Sequence, residues 1–325
     1  MGRLVDSSPC VWATEGRTMT TQHVVHAVHA EDVVRVHERL LRDRCLQDRH
    51  LDASDGRRIH VVETGDGPPL VLLHGAGAPG LFFLPLLERL ERVRAIAVDR
   101  PGRGLSDPVD FPLHGYRQAV VAWVDGLLDA LGLDAAGLLG HSGGGLWALW
   151  YALARPDRVR RLVLLGAAPA LPGTTMPLPF RVLVMPGIGR LLQRIPSTPT
   201  SVMQFARLVA GEGETIVDHP ELVDLLVAGD NDPVAAVADR GEVRAIAAPH
   251  RWRPGARVSA DELRQLAVVT LLLWGDHDPF GDAAVARATA RAIPDARLEL
   301  LPAGHGPWLG HPDRVAELVS EFVRR

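Results

Sequence analysis

A serine surrounded by glycines occupies the middle of the chain, in the hexapeptide Gly-His-Ser-Gly-Gly-Gly at 140–145. An apolar run ends just before it and another follows at 146–153, which predicts a strand, a tight turn and a helix. The N-terminus of that helix would direct free backbone N–H groups and a positive dipole end toward whatever Ser142 attacks. A bland glycine-rich loop is one alternative. A phosphate-binding loop is another, disfavoured because no Lys-Ser or Lys-Thr pair follows the glycines.

A serine hydroxyl is a poor nucleophile at neutral pH and needs a base within hydrogen-bond reach, which in turn needs a carboxylate. His305 lies between two glycines after the last predicted strand, where its ring can reach the carboxyl edge of the sheet. His141 is adjacent to the serine and is expected to point away, and His311 precedes a proline at a helix start. His305 is therefore the predicted base. Asp276 and Asp278 are both available as the acid.

These residues must be positioned by an alternating series of strands and helices. After a hairpin turn at Asp55-Gly56, strands are predicted at 70–73, 95–98, 136–139 and 161–165, with helical patterns between them. The run at 70–73 is continuously apolar, as in a strand buried on both faces. The alternation predicts an α/β fold with a mostly parallel sheet and helices on both faces.

The alternation stops between about 168 and 266, where many prolines separate short helical patterns. Strands return at 268–274 and 297–301, with helices at 283–292 and 314–323. We therefore predict an N-terminal extension at 1–49, an α/β core at 50–167 and 267–325, and a helical cap at 168–266. The apolar stretch 176–195, interrupted by three arginines, is either an amphipathic lid on a lipid surface or a cap element over a pocket, and the second is favoured.

The N-terminal extension shows one clear element. Residues 1–29 carry little pattern and contain a second Met at position 19, so we expect a poorly ordered extension or a start-site artefact. Residues 31–46 have the pattern of an amphipathic helix, which offers a contact for the main body or for a homodimer. His23, His26, His29 and His37 lie in or near this region without cysteine or closely spaced carboxylate partners, so no metal site is expected.

Composition excludes several classes of partner. A net charge of −4, mixed along 325 residues without a basic block, argues against nucleic acid. No stretch reaches the roughly 18 apolar residues of a membrane span, and residues 1–12 lack the apolar core of a signal peptide. Cys10 and Cys45 are too few for a disulfide framework. We expect a cytoplasmic protein without stable membrane insertion.

Five landmarks occur in order along the chain: His-Gly at 74–75, the loop 99–106, the Ser142 turn, Trp-Gly-Asp-His-Asp-Pro at 274–279 and Gly-His at 304–305. Together they resemble the α/β-hydrolase superfamily over roughly residues 50–325. The resemblance implies an eight-stranded-type, mostly parallel sheet with an inserted helical cap. In that family the nucleophile, acid and base follow one another along the chain, which maps here to Ser142, Asp278 and His305.

The resemblance also implies an oxyanion hole made by the backbone N–H groups of Ala76 and Gly143. His74, Asp99 and Arg103 are expected to brace loops. No carboxylate occurs at 166–170, where some relatives carry their acid. Large apolar side chains are candidate pocket walls, although such residues usually belong to the core: Phe82, Phe83, Trp147, Met176, Phe180, Phe205 and Trp308.

These observations predict a serine hydrolase that works through an acyl-enzyme, without a cofactor, on a small to medium, largely hydrophobic ester, lactone or related carbonyl compound. The cap has no obvious charged cluster, which favours a neutral small-molecule substrate. An acyltransferase and a carbon–carbon bond hydrolase use the same triad and stay open, as does a non-catalytic ligand-binding protein on this fold. The serine argues against haloalkane dehalogenases and epoxide hydrolases, which place Asp at this turn.

Overall fold

Apolar strands bounded by turns build the centre of the molecule. A computed structural model of the chain describes residues 27–42, 44–185, 187–192 and 194–325. Within these residues eight strands form one sheet, and in chain order they are β1 Gln47–Asp52, β2 Arg58–Thr64, β3 Pro69–Leu73, β4 Arg94–Val98, β5 Ala136–His141, β6 Val159–Leu165, β7 Thr270–Gly275 and β8 Ala296–Leu301.

The sheet has the spatial order β1-β2-β4-β3-β5-β6-β7-β8. The pairs β1/β2 and β2/β4 are antiparallel, and all other neighbours are parallel. Residues 70–73 and 162–165 have no exposed surface, as expected for strands covered on both faces. The predicted α/β fold with a mostly parallel sheet is therefore confirmed.

Helices cover the two faces of this sheet. In the described part of the chain they are α1 Ala27–Leu41, α2 Leu84–Leu87, α3 Tyr116–Ala130, α4 Gly143–Ala154, α5 Leu178–Leu183, α6 Ile188–Leu192, α7 Pro199–Phe205, α8 Pro220–Asn231, α9 Pro233–Ile246, α10 Ala260–Arg264, α11 Ala283–Ala292, α12 Pro307–Gly310 and α13 Pro312–Arg324. Alternate residues of β3 divide between the faces: Val71 and Leu73 cluster with α3 and α4, and Leu70 and Leu72 with α2 and α13. No helix among the described residues is long and apolar enough to cross a membrane.

The segment 168–266 between β6 and β7, called the insertion below, contains α5 to α10 and a small antiparallel hairpin at 247–252. Its prolines often begin helices: Pro220 opens α8 and Pro233 opens α9. Proline fits that position because its missing N–H would have no partner within the helix. At these two positions the prolines that interrupt the sequence pattern therefore mark helix starts.

The N-terminal helix α1 ends at Leu41, before the predicted end at 46, because the chain then turns into β1. It packs against α8 of the insertion, and Arg39 Nη2 donates to Asp224 Oδ2 at 2.7 Å. Of the two contacts expected for this helix, the structure shows the one within its own chain. The remaining predictions for the extension, which concern Cys10, His23, His26 and the side chain of His29, lie outside the described residues.

Candidate active site

Ser142 occupies the tight turn between β5 and α4. Its φ of 52° and ψ of −119° place a non-glycine residue in a strained backbone region. A Cβ atom on Gly140 would lie 2.4 Å from the carbonyl oxygen of Gly144, and one on Gly144 would lie 2.1 Å from that of Leu73. The turn thus requires glycine on both sides of the serine, and it sets Ser142 half-buried at the start of a helix.

The structure brings His305 and Asp278 together. His305 Nδ1 lies 2.8 Å from Asp278 Oδ2. The buried carboxylate also accepts hydrogen bonds from the backbone N–H groups of Ala167 at 2.8 Å and Phe280 at 2.9 Å. An ionised carboxylate can only accept, so Nδ1 carries the proton and Nε2 keeps its lone pair. That Nε2 is buried and has no hydrogen-bond partner among the described residues.

Asp276, the second aspartate that the sequence offered as the acid, has other partners than His305. It pairs with the ring of His277, whose side chain is 79% exposed. Its backbone N–H bonds to the carbonyl of Leu301, at the end of β8. Of the two aspartates, the structure thus places only Asp278 in hydrogen-bond contact with His305.

Two rings lie against His305. Phe280 stacks on it at a ring-centroid distance of 4.5 Å and an angle of 33°. His141 lies 4.8 Å away, and its Nε2 is 3.1 Å from the carbonyl oxygen of His305. A carbonyl accepts, so His141 donates there and braces the His305 loop. Burial of the ring holds the pKa of His141 well below its usual 6.5. The sequence missed Phe280, although it stands two residues after the predicted acid.

The loop after β3 lies directly against the serine. A Cβ on Gly75 would lie 3.1 Å from Ser142 Cβ. His74 is fully buried beneath this loop: its Nε2 accepts from the backbone N–H of Arg100 at 2.8 Å and its Nδ1 donates to the carbonyl of Gly75 at 2.7 Å. Burial, and next the charge of Arg100, hold the pKa of His74 well below 6.5. The ring therefore stays neutral and shapes the loop.

One N–H of this loop is already engaged. Gly77 donates to Asp239 Oδ1 of α9 at 2.9 Å, whereas Ala76 is exposed at the tip. Gly143 is the first residue of α4, where backbone N–H groups have no partner within the helix. The geometry is therefore compatible with the predicted oxyanion donors, Ala76 and Gly143.

The loop after β4 is tied to the insertion by buried charges. Arg100 donates through both terminal nitrogens to Glu242 of α9, at 2.9 and 3.1 Å. Arg103 donates to the carbonyl of Ala235 at 2.6 Å and pairs with Asp239. A Cβ on Gly143 would lie 2.6 Å from Glu242 Oε1. Both arginines of this loop, of which Arg100 lies beside the serine turn, are thus paired with carboxylates of the insertion.

Asp99 fixes the same loop from inside. Its carboxylate accepts from the backbone N–H groups of Gly80 at 2.6 Å and Leu105 at 2.9 Å. It also contacts His60 Nδ1 at 2.7 Å. Through these contacts Asp99 holds the loop in place, as expected from the sequence.

The insertion also holds the His305 loop. After α7 the chain makes a π-helical turn at Ala206–Ala210. The carbonyl of Ala210 accepts from His305 N–H at 2.7 Å, and Glu212 Oε1 accepts from Gly306 N–H at 2.8 Å. Burial raises the pKa of Glu212, and hydrogen bonds from Thr215 and Gly306 oppose that shift. The contact between Glu212 and the His305 loop could not be predicted from the spacing of residues in the sequence.

The candidate pocket residues fall into two groups. Phe180 packs on Phe280 at 5.6 Å, and Trp308 packs on His141 at 4.6 Å. Phe82 and Phe83 each lie 5.4 Å from the Trp308 ring. These residues are linked to His305 by ring contacts, although Trp308 itself has no exposed surface.

The remaining three candidates lie differently. Trp147 is enclosed by aromatic rings, 5.5 Å from Phe111 and 5.6 Å from Trp123, with the Arg100 guanidinium 4.6 Å above it. Met176 is buried in the same apolar cluster. Phe205 is 45% exposed on α7. The structure thus shows Trp147 and Met176 as core packing and Phe205 as a surface side chain of the insertion.

Comparison with known proteins identifies the family. A model of the alpha/beta hydrolase family matches residues 70–318. The chain belongs to the alpha/beta hydrolase family. Every landmark that suggested the resemblance lies within the matched residues.

Two relatives in this family illustrate the range of activities. A 2-hydroxy-6-oxononadienedioate/2-hydroxy-6-oxononatrienedioate hydrolase of Cupriavidus pinatubonensis is 31% identical over 290 residues, covering 85% of this chain and 94% of that protein. A pimeloyl–acyl-carrier-protein methyl ester esterase of a Shewanella species is 30% identical over 281 residues, covering 82% and 94%. Among solved structures, carboxylesterase CesB of Bacillus subtilis has the same fold, with a TM-score of 0.70 at 21% identity and coverage of 90% and 98%.

Proposed function

We propose that this alpha/beta hydrolase is a serine hydrolase with Ser142 as nucleophile, His305 as base and Asp278 as the carboxylate that orients the base. The observation that carries the proposal is the buried hydrogen bond of 2.8 Å between His305 Nδ1 and Asp278 Oδ2. It leaves the Nε2 lone pair free to take a proton. The strained turn at Ser142 supports the same assignment.

In the proposed reaction Ser142 Oγ attacks the substrate carbonyl carbon while its proton passes to His305 Nε2. The N–H groups of Gly143 and Ala76 stabilise the oxyanion of the tetrahedral intermediate. The intermediate collapses to an acyl-enzyme, and the leaving group takes the proton from His305. A water molecule then gives its proton to His305 and attacks the acyl carbon, which releases the acid and restores Ser142.

We propose a largely hydrophobic, uncharged ester, lactone or related carbonyl compound as substrate. Phe280 and Phe180 offer apolar surface next to His305. Arg100, beside the serine turn, and Arg103 of the same loop are already paired with Glu242 and Asp239. An anionic substrate would have to compete with these carboxylates. The relative named as a methyl ester esterase supports an ester.

Carbon–carbon bond hydrolysis is the second candidate, favoured by the relatives named as oxononadienedioate hydrolases. The word dienedioate describes a substrate with two carboxylates, which calls for cationic partners. Because Arg100 and Arg103 are neutralised within the chain, we place this activity second. An acyltransferase shares the acyl-enzyme and differs only in the acceptor.

The proposal is tested with p-nitrophenyl esters of increasing acyl length and a fluorophosphonate probe. We expect ester turnover and labelling of the wild-type chain, and in Ser142→Ala a loss of kcat of at least about 10³-fold together with the label. Ser54→Ala, at an exposed hairpin turn, is the matched control and keeps both. A folded wild-type chain that neither turns over nor labels would leave the ligand-binding alternative.

The same preparation separates the three activities. A 2-hydroxy-6-oxo-dienoate is supplied beside the best ester, and the ester reaction is repeated with an added alcohol as acceptor. We expect kcat/KM for the ester to exceed that for the dienoate, and water to remain the main acceptor. A preference for the dienoate would replace the ester assignment with carbon–carbon hydrolysis, and a dominant alcohol product would make the enzyme an acyltransferase.

A further inference from the structure

A second cluster of functional side chains lies at the antiparallel edge of the sheet, where α1 meets β1 and β2. His37 of α1, Asp48 of β1 and His60 of β2 point to one spot, and their three donor atoms all lie within 4.8 Å of one another. His37 Nε2 is 3.1 Å from Asp48 Oδ1, and His60 Nε2 contacts the same oxygen. The ligand set is dispersed along the sequence, which explains why the spacing of the histidines did not predict it.

The orientation of the His60 ring is fixed by a hydrogen bond at its other nitrogen, Nδ1. Its Nδ1 lies 2.7 Å from Asp99 Oδ2, and Asp99 is itself held by the backbone N–H groups of Gly80 and Leu105. The hydrogen bond from Nδ1–H to the Asp99 carboxylate turns Nε2 toward the cluster, where it donates to Asp48 Oδ1. A bound ion would displace that proton and take its place on Nε2. Histidines that bind metals usually donate their second ring nitrogen to a carboxylate in this way.

The donor set suits a transition-metal ion. Two imidazole nitrogens and one carboxylate oxygen are ligands that Zn²⁺ accepts, with a fourth position open to water. Ligands of a tetrahedral Zn²⁺ lie roughly 3.3 Å apart, close to the 3.1 Å between His37 Nε2 and Asp48 Oδ1. The two histidine side chains are only 5% and 1% exposed and Asp48 is 43% exposed, so the open position would face solvent.

His50 lies beside the cluster without belonging to the donor set. Its ring centroid is 5.0 Å from that of His60, and its Nε2 contacts the carbonyl oxygen of Leu105 at 3.3 Å. It therefore offers a neighbouring histidine whose replacement leaves the three donors in place.

We propose that His37, Asp48 and His60 bind one divalent transition-metal ion of the Zn²⁺ class, and that this ion fastens α1 to the sheet. The position fits a structural role. α1 packs on α8 of the insertion, through Arg39 and Asp224 among others, so an ion at His37 would tie the sheet, the N-terminal helix and the insertion together.

The test measures metal content and affinity in the full-length chain after complete removal of any affinity tag. The protein is stripped with a chelator, titrated with Zn²⁺ against a competing indicator dye, and its metal content is read by mass spectrometry. We expect roughly one Zn²⁺ per chain and a rise in the thermal unfolding temperature on Zn²⁺ addition.

Variants assign the ion to the cluster. His37→Gln and Asp48→Asn should each weaken Zn²⁺ affinity at least about tenfold and remove the thermal shift, whereas His50→Gln should keep both. A variant with His23, His26 and His29 changed to Gln should also keep them, which separates the cluster from the N-terminal histidines.

A stripped wild-type chain that takes up no Zn²⁺ would overturn the proposal and leave a hydrogen-bonded histidine–aspartate network. Uptake that Asp48→Asn does not weaken, or that the triple histidine variant abolishes, would also overturn it. Circular dichroism of each variant shows whether a lost ion reflects a lost ligand or a lost fold.

Discussion

At the residue level, Asp278 controls which nitrogen of His305 is basic. Its carboxylate accepts from His305 Nδ1 and from the N–H groups of Ala167 and Phe280. These bonds hold both the carboxylate and the ring, so Nε2 is the nitrogen that takes the proton of Ser142 in the proposed reaction. Asp276 stands two residues earlier but pairs with His277.

We expect Asp278→Asn to lower kcat about 10⁴-fold with little change in KM, because the amide can donate to His305 and favours the wrong tautomer. Asp276→Asn is the matched control and should stay within about twofold of the wild-type rate. Steady-state kinetics on the best ester, with circular dichroism of both variants, decide between the two aspartates. A larger loss in Asp276→Asn would move the acid role to that residue.

The sequence predicted candidate catalytic side chains but little of what surrounds them. Ser142 and His305 were predicted because turn glycines and their place after strands leave local patterns. The choice between Asp276 and Asp278 could not be made from the residues alone, because both follow the same strand and only folding shows which one faces His305. Phe280 was missed for the same reason: a ring contact with a residue 25 positions away leaves no local pattern.

At the level of elements, the insertion does more than cover the sheet edge. It supplies the carbonyl of Ala210 and the carboxylate of Glu212 to the His305 loop. It also supplies Asp239 to the loop of Gly77 and Glu242 to Arg100. Displacement of the insertion would therefore release both the loop of His305, the proposed base, and the loop of Ala76, the proposed oxyanion donor.

Glu212 is proposed as a positioning residue that acts through the His305 loop. Glu212→Ala would leave the buried N–H of Gly306 without its acceptor, which costs about 1–3 kcal/mol, and would loosen the ring of His305. We expect kcat to fall about tenfold to a hundredfold while KM changes little. Glu212→Gln keeps an acceptor oxygen and should restore most of kcat.

Glu214→Ala, two residues further on and exposed, is the matched control for this experiment. The rate of fluorophosphonate labelling gives a second readout, since it reports Ser142 activation without substrate binding. Equal losses in Glu212→Gln and Glu212→Ala, or a change confined to KM, would show that Glu212 acts on the insertion as a whole and not on the base.

Proline content located the insertion but could not predict its contacts. Pro220 and Pro233 interrupt the alternating pattern, and the structure shows them as first residues of α8 and α9. The face of α9 that packs on the core is the one that binds Arg100 and Arg103, which lie more than 130 residues away in the sequence. Ion pairs at such separations are visible only after folding.

At the level of the whole molecule, the mostly parallel character of the sheet follows from sequence patterns, whereas its strand order was not predicted. Alternating apolar strands and amphipathic helices predict a parallel sheet covered on both faces, and the six strands β3 to β8 were predicted as ranges. For β1 and β2 only the hairpin turn between them, at Asp55-Gly56, was predicted. The cluster of His37, Asp48 and His60 was not predicted, because it joins a helix to two strands through the fold. Turn motifs and the periodicity of strands and helices can therefore be predicted from the sequence. A cluster of side chains from distant parts of the chain cannot, because only the fold brings them together.

Two buried neutral histidines make the stability of the whole chain sensitive to acid. The pKa values of His74 and His141 lie well below 6.5 in the folded chain, chiefly because of burial. In the unfolded chain both rings take up protons as the pH falls through about 6.5. The unfolded state then binds more protons than the folded state, so the free energy of unfolding decreases below that pH by up to about 1.4 kcal/mol per pH unit for each ring.

His74→Gln isolates one of these contributions. Gln can still accept from the N–H of Arg100 but cannot titrate, so the variant should be less stable than the wild type above pH 7 and lose less stability on acidification. The difference between the two unfolding free energies should shrink below pH 6.5, with a slope of up to about 1.4 kcal/mol per pH unit. Urea unfolding from pH 5 to pH 8 measures it, and His114→Gln, at an exposed loop position, provides the control. A difference that stays constant over this range would mean that His74 has the same pKa in the folded and the unfolded chain, which would contradict the lowered pKa of the buried ring.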